Sequence, residues 1–188
     1  RGILHRLGVR VQRGGRPDGS TAPASMTVLD RDGLPFYRFD HLAEFPELEH
    51  GITTRRGGVS DPPFDGLNLA SGGGVRPEAV ACNGGAVFRR FAGQPILLRQ
   101  VHGVQVVVLA RSDGRLGAAG GRPPEGDALV TDVPGALLTV LVADCQAVLL
   151  YDPVRRVVAN VHSGWRGSAG NILGAAVEAM AARFGCRP

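Results

Sequence analysis

The sequence predicts an α/β fold built as a single mixed-sheet domain, and three observations carry that prediction. Short apolar runs rich in β-branched residues alternate with Gly, Pro and Asp punctuation. Two longer stretches carry helix start and stop signals. No internal repeat or interdomain linker divides the chain. Taken in order, residues 77–91 read as the first helix. Pro77 stands at an early position, where its missing N–H costs nothing, and Arg89 and Arg90 lie near the negative end of the dipole. Runs at 96–98, 104–109, 128–130, 136–142, 148–150 and 157–159 then read as strands. Residues 109–125, rich in Gly and Pro, read as a surface loop. A second helix is expected over 168–184, closed by Gly185, with Ile172, Leu173, Ala176, Val177 and Met180 on one face. That stripe marks a helix laid on a sheet, so these residues are assigned to the core rather than to a cofactor.

Length and charge narrow the classes of function. A chain of 188 residues can bury about 70% of the surface its unfolded form exposes. The net charge of +4 belongs to the opening segment: residues 1–25 hold Arg1, Arg6, Arg10, Arg13 and Arg16 against Asp18 alone, and residues 26–188 are balanced. Residues 1–25 are therefore expected to be a flexible basic extension ahead of a domain over 26–188, and nucleic acid is not an expected partner. All 21 basic residues are arginine, which excludes lysine Schiff-base chemistry and the lysine-dependent phosphate loop. No apolar run of ~20 residues reads as a membrane span, and the start does not read as a signal peptide. Cys82, Cys145 and Cys186 are odd in number and irregularly spaced, which suits a reducing compartment and a cytoplasmic address.

Three residues in distinctive neighbourhoods form the candidate site. They are His102 in Gln100-Val101-His102-Gly103, Cys145 in Ala143-Asp144-Cys145, and His162 in His162-Ser163-Gly164-Trp165-Arg166-Gly167. Each alone has an ordinary reading: a hydrogen-bonded histidine, or a cysteine serving as a small buried hydrophobe. Together, two imidazoles and a thiolate suit zinc, and three protein ligands leave the fourth tetrahedral position open, as a catalytic zinc requires. Asp144 ends an apolar run, where a carboxylate is costly unless it is paired, hydrogen-bonded or near a metal. His162 ends another such run, and the turn after it leads into a helix. This brings together a ligand, Arg166 and a positive helix end, a setting for an anionic or polarised oxygen. On these residues alone the functional and ordinary readings balance.

Read in order, the motifs resemble those of the laccase-domain family, also called the YfiH or polyphenol oxidase family. The two motifs that hold Cys145 and His162 are joined by Gln100-Val101-His102-Gly103 and by Asp127-Ala128-Leu129-Val130-Thr131. Thr54-Arg55-Arg56-Gly57-Gly58-Val59-Ser60, with Leu67-Asn68-Leu69, resembles the family's amino-terminal signature. The resemblance implies a single-domain α/β fold shared with the catalytic domain of a cytotoxic-necrotizing-factor toxin. It also implies zinc held by His102, Cys145 and His162. The activity it implies is phosphorolysis of adenosine, inosine, guanosine and methylthioadenosine, together with adenosine deamination, so purine nucleosides and phosphate are the expected partners. The older laccase label implies copper. Classical multicopper oxidation uses many histidines, whereas this chain has five, and zinc is the favoured expectation.

For that chemistry Arg55 and Arg166 are candidates to hold phosphate through charge-assisted hydrogen bonds. Zinc would lower the pKa of a bound water toward ~7 for deamination. Asp144 is a candidate to orient a ligand or move a proton. Gly57 and Gly58 would let the backbone approach substrate, and His50, just before this segment, would reach the same pocket. The competing readings are a solvated charge for Arg55, a plain turn for the glycines and a surface histidine for His50. A cysteine hydrolase or amidase in peptidoglycan editing, with Cys145 as nucleophile and His162 as base, is a second class. A zinc-stabilised protein without turnover is a third. The chain departs from the family pattern at Gly72-Gly73-Gly74-Val75, at Gly84 and at Ala147, where a Gly-Asp pair, an arginine and a proline are usual. It ends at Pro188 where members continue, so a carboxy-terminal truncation is expected.

Overall fold

The computed structural model describes residues 5–7, 25–91, 93–114 and 122–187. In chain order its elements are β1 (His5–Leu7), β2 (Met26–Arg31), β3 (Leu34–Phe39), β4 (Ile52–Thr53), α1 (Pro77–Phe88), β5 (Gln94–Leu97), β6 (Val106–Leu109), β7 (Ala128–Thr131), β8 (Ala136–Leu141), β9 (Gln146–Asp152), β10 (Val157–Ser163), α2 (Trp165–Ala169) and α3 (Ile172–Phe184). Most of the expected 1–25 extension, and residues 115–121 of the expected loop, lie outside the described residues.

The α/β class stands, with the strands divided among three sheets: β1-β8-β5, β6-β7-β10-β9 and β2-β3-β4. The first two are mixed. β5 runs parallel to β8 and β6 parallel to β7, whereas β1 pairs antiparallel with β8, and β10 does so with both β7 and β9. Every strand expected from residue 96 onward is present. β7 is buried along its whole length and β10 along all but one residue, which is why they read as unbroken apolar runs rather than as alternation.

The antiparallel β2-β3-β4 sheet is the part that the apolar runs do not announce. Its hairpin turns on Asp32 and Gly33, both at positive φ (52° and 78°), the two-residue turn whose twist matches antiparallel strands. Arg90 ties this hairpin to α1. Its guanidinium donates to the carbonyls of Arg31 (2.6 Å), Asp32 (2.8 Å) and Ala86 (2.8 Å). The last of these satisfies an end carbonyl of the helix. Leu34, Phe36, Leu67, Val87, Phe91 and Leu137 form the core between this sheet, α1 and β8.

The helix expected over 168–184 is two helices. Asn171 takes a left-handed φ of 58°, and its side chain accepts the Gly174 N–H at 3.1 Å, capping α3 and separating it from α2. Gly185, also left-handed, closes α3 as expected. Ile172, Ala176 and Met180 are buried against Ala128, Val130, Ala159 and Val161, and Val177 packs partly buried beside them. Leu173 departs from the expected stripe and is 39% exposed.

At the β9–β10 turn one oxygen of Asp152 accepts the N–H groups of Val154 (2.8 Å) and Arg155 (2.9 Å). Burial pushes this carboxyl up. Bonds from the Arg155 N–H, the Cys186 thiol, the Val154 N–H and the Arg187 N–H outweigh it and hold the carboxyl below the usual carboxylate range. A lowered carboxyl stabilises the fold above its unfolded pKa of about 3.9 and loses that contribution as pH falls through the folded value. Wild type should therefore exceed Asp152→Asn in stability by about 1 kcal/mol at pH 7. Their thermal melts should converge below about pH 3.

Candidate metal centre

The antiparallel ladder of β9 and β10 explains how residues distant in sequence meet. In its register Ser163 faces Gln146 and His162 faces Ala147, so Cys145, one residue before β9, lies at the end where β10 delivers His162. The ligand atoms of His102, Cys145 and His162 all lie within 4.8 Å of one another. The two imidazole rings stand edge to face, 87° apart with centroids at 4.8 Å. His162 is buried, Cys145 half-buried and His102 exposed, so the group opens to the surface on the His102 side.

His102 arrives on the loop before β6, with a left-handed φ of 58°. The carboxylate of Asp127, the residue before β7, accepts the N–H groups of His102 (2.9 Å), Gly103 (2.8 Å) and Val101 (3.3 Å) and contacts His162 Nδ1 at 2.8 Å. Burial pushes the Asp127 carboxyl up, but the Gly103 N–H, the His162 ring and the His102 and Val101 N–H groups together hold it below the usual range. The loop is fastened a second time by Gln100. Its side-chain amide donates to the Leu141 carbonyl (2.8 Å) and accepts the Leu141 N–H (2.7 Å). Cys145 has the opposite electrostatics: burial first, then the charge and hydrogen bond of Asp144, push its thiol up.

The residues fit a metal ion. One soft sulfur and two imidazole nitrogens are a borderline-metal donor set, and Asp127 engages Nδ1 of His162, leaving Nε2 for coordination. Gly164 shapes the cradle: a Cβ there would lie 3.0 Å from Cys145 Sγ, 3.1 Å from His102 Cδ2 and 4.0 Å from His162 Cε1. Gly164→Ala should therefore fold, because its φ of −77° suits any residue. It should nonetheless bind zinc about tenfold more weakly in a calorimetric titration, since overpacking costs about 1–3 kcal/mol. Unchanged affinity would show that the methyl stays clear of the ion.

The other candidates are distributed unevenly. Asp144 is exposed, 3.8 Å from Cys145 Sγ. Arg166 is exposed on α2, its guanidinium 5.1 Å from the Trp165 ring. Arg55, after β4, pairs with Asp65 at 3.0 Å on the surface. Gly57 (φ 84°) approaches the Gly33 carbonyl, and Gly58 abuts the backbone of Gly66 and Leu67, so both close a turn against the chain itself. His50 is buried; its Nε2 meets the Phe39 N–H at 3.1 Å and its ring stacks on Phe39. The structure thus gathers the three ligand candidates with Asp144 beside them, while Arg55, Gly57, Gly58 and His50 make their contacts around β3, β4 and the 55–67 segment. Asp127 belongs to the site without having been singled out for chemistry. Its signal was an acid directly before the apolar run of β7, a place where a carboxylate needs several donors.

A mixed α/β domain carrying an open His-Cys-His group has the donor set of a metal site. The chain belongs to the family described as multi-copper polyphenol oxidoreductase laccase, whose model matches residues 49–188. It is 43% identical over 159 residues to a purine nucleoside phosphorylase of Deinococcus radiodurans, covering 83% of this chain and 57% of that protein. It is 35% identical over 134 residues to the purine nucleoside phosphorylase YfiH of Escherichia coli, covering 69% of this chain and 51% of that protein. Among solved structures it is similar to YlmD from Geobacillus stearothermophilus, with a TM-score of 0.71 and 28% identity over 88% of this chain and 62% of that one. The chain thus spans little more than half the length of these curated relatives. Among the described residues, no helix is long and apolar enough to cross a membrane.

Proposed function

We propose that the chain is the metal-holding portion of a zinc-dependent purine nucleoside enzyme. The proposed activity is phosphorolysis of adenosine, inosine, guanosine and methylthioadenosine, with deamination of adenosine at the same site. The observation that carries this reading is the open His102, Cys145 and His162 group in a chain whose relatives bear the name purine nucleoside phosphorylase. Zinc is preferred to copper because one three-ligand group is present among the described residues, whereas multicopper oxidation draws on several histidine-rich sites. Three free cysteines agree with action in the cytoplasm.

Held by these three residues, zinc supplies Lewis acidity at one open position. The remaining work falls to the chain's own groups. In phosphorolysis a phosphate oxygen bonds to the anomeric carbon of the ribose as the bond to the purine nitrogen breaks. The electron pair leaves with the purine, which takes up a proton. Arg55 holds the phosphate in this reading. Its pair with Asp65 is half-exposed and therefore weak, so a phosphate displaces the carboxylate at little cost. Gly57 and Gly58 close the turn that follows Arg55, and His50, buried against Phe39, holds β3 beside this segment. Arg166 supplies a second guanidinium on the metal side, and Asp144 is the exposed carboxyl that gives or takes the proton.

The contact between His162 and Asp127 favours one second reading, a hydrolase in which Cys145 attacks, His162 is the base and Asp127 orients it. Against it stand the third donor, His102, which such a mechanism does not need, and a thiol pushed up rather than down. Chromatography of adenosine incubated with phosphate and the zinc-loaded chain, beside Cys145→Ala, tests the main reading. Phosphate-dependent adenine, or inosine and hypoxanthine, from the wild type alone is expected. A folded, zinc-loaded chain that yields no product overturns it, and zinc-independent alkylation of Cys145 by iodoacetamide would favour the hydrolase.

A further inference from the structure

We infer that Asp127 is the positioning residue of the metal site. Its one carboxylate orients His162 through Nδ1 and shapes the backbone that carries His102, so a group that never touches the metal sets two of its three ligands. The inference rests on the metal-site reading above.

The carboxylate is 0% exposed, and a buried charge is tolerated only when its lone pairs are used. Asp127 meets four donors. Oδ1 faces the His102 N–H at 2.9 Å and His162 Nδ1 at 2.8 Å; Oδ2 faces the Gly103 N–H at 2.8 Å and the Val101 N–H at 3.3 Å. Successive backbone N–H groups around an anion, with a left-handed residue among them, make the concave nest that in other proteins receives phosphate. Here the anion is part of the chain. The nest accounts for the positive φ of His102, a conformation that few residues other than glycine adopt. The main chain ties the same pieces together, since His162 N–H donates to the Asp127 carbonyl at 2.7 Å.

The consequence for His162 is chemical. An ionised carboxylate only accepts, so it favours the neutral imidazole that carries its proton on Nδ1 and would leave the lone pair of Nε2 for a metal. Without that acceptor the proton can occupy either nitrogen and the ring can turn. The 101–103 loop at the same time loses the anion that closes it, so His162 and His102 drift together rather than singly.

Long-range proton–nitrogen NMR on the metal-free full chain, with His162 assigned by the loss of its signals in His162→Gln, should show Nδ1 protonated and Nε2 bare. Cobalt(II) titration followed by visible absorption should give an affinity 10–100-fold lower for Asp127→Asn, with a changed absorption envelope. An amide cannot replace all the acceptors that the carboxylate offers. A wild-type His162 protonated on Nε2 overturns the inference, and this result does not depend on whether the variant folds. Equal affinities and spectra for wild type and a folded Asp127→Asn also overturn it and leave the metal reading intact. Wild type that binds neither cobalt nor zinc overturns both.

Discussion

Cys145→Ala is expected to bind zinc on the order of 1000-fold more weakly than wild type while keeping the melting temperature of the metal-free protein. Structural zinc sites with four ligands bind with about 10–16 kcal/mol, so one ligand accounts for roughly 2.5–4 kcal/mol, or about two to three decades in affinity. The loss here should be at the upper end, because Cys145 brings the only formal negative charge among the three donors. The cost to the fold is small, since the residue is half-buried just before β9 rather than in the core. Burial and Asp144 push the free thiol up, so zinc has to displace its proton. Wild-type affinity should fall as pH is lowered, and that slope should flatten in Cys145→Ala. Competition against a chromophoric chelator at several pH values measures both effects. Wild-type affinity in the variant would remove Cys145 from the ligand set.

Gly58→Ala is expected to lower the melting temperature by roughly 6–12 °C. A Cβ at this position would lie 2.3 Å from the carbonyl carbon and oxygen of Gly66 and from Leu67 Cα. These are backbone atoms that cannot swing aside. The same two segments are joined by Leu67 N–H to the Arg55 carbonyl (2.7 Å) and by paired bonds between Ser60 and Gly66 (3.1 Å each), so the clash forces the strands of this loop apart. Overpacking of this severity costs about 3 kcal/mol, and each kcal/mol moves the melting point of a domain this size by about 2–4 °C. Differential scanning calorimetry decides whether the pair of glycines serves the fold or a ligand. A variant that melts with wild type and has lost only substrate affinity would assign Gly58 to the binding surface.

How much was legible in the sequence depended on which physical signal each element carries. α1 and α3 announced their ends through Pro77 and Gly185, residues whose backbone preferences have few other uses. The buried strands β7, β8 and β10 announced themselves through unbroken apolar runs. β2 and β3 did not: Met26 and Val28 are half-exposed, and Pro35 interrupts the second strand. The Asp32-Gly33 pair was nevertheless the strongest short-range hairpin signal available. Asn171 carries no such signal, because apolar periodicity continues across it, whereas a cap depends on one backbone angle. At the site, the spacing of His102, Cys145 and His162 left their proximity open, and the strand order supplies it. Asp127 was hidden because a buried carboxylate is recognised by its donors, and those donors are backbone groups that every residue type carries.

The Gln100 side chain imitates a peptide group against Leu141, one acceptor and one donor on the edge of β8. It therefore joins the loop that bears His102 to the strand whose continuation bears Cys145. Segments linked this way are expected to open together, with amide hydrogens that exchange at similar rates. The Leu141 amide reports that event directly, since its hydrogen is held by a side chain rather than by a neighbouring strand. Losing the order of one half of the candidate cradle is therefore expected to loosen the other, and Gln100→Ala should raise the exchange rate of the Leu141 amide together with those of residues 101–103.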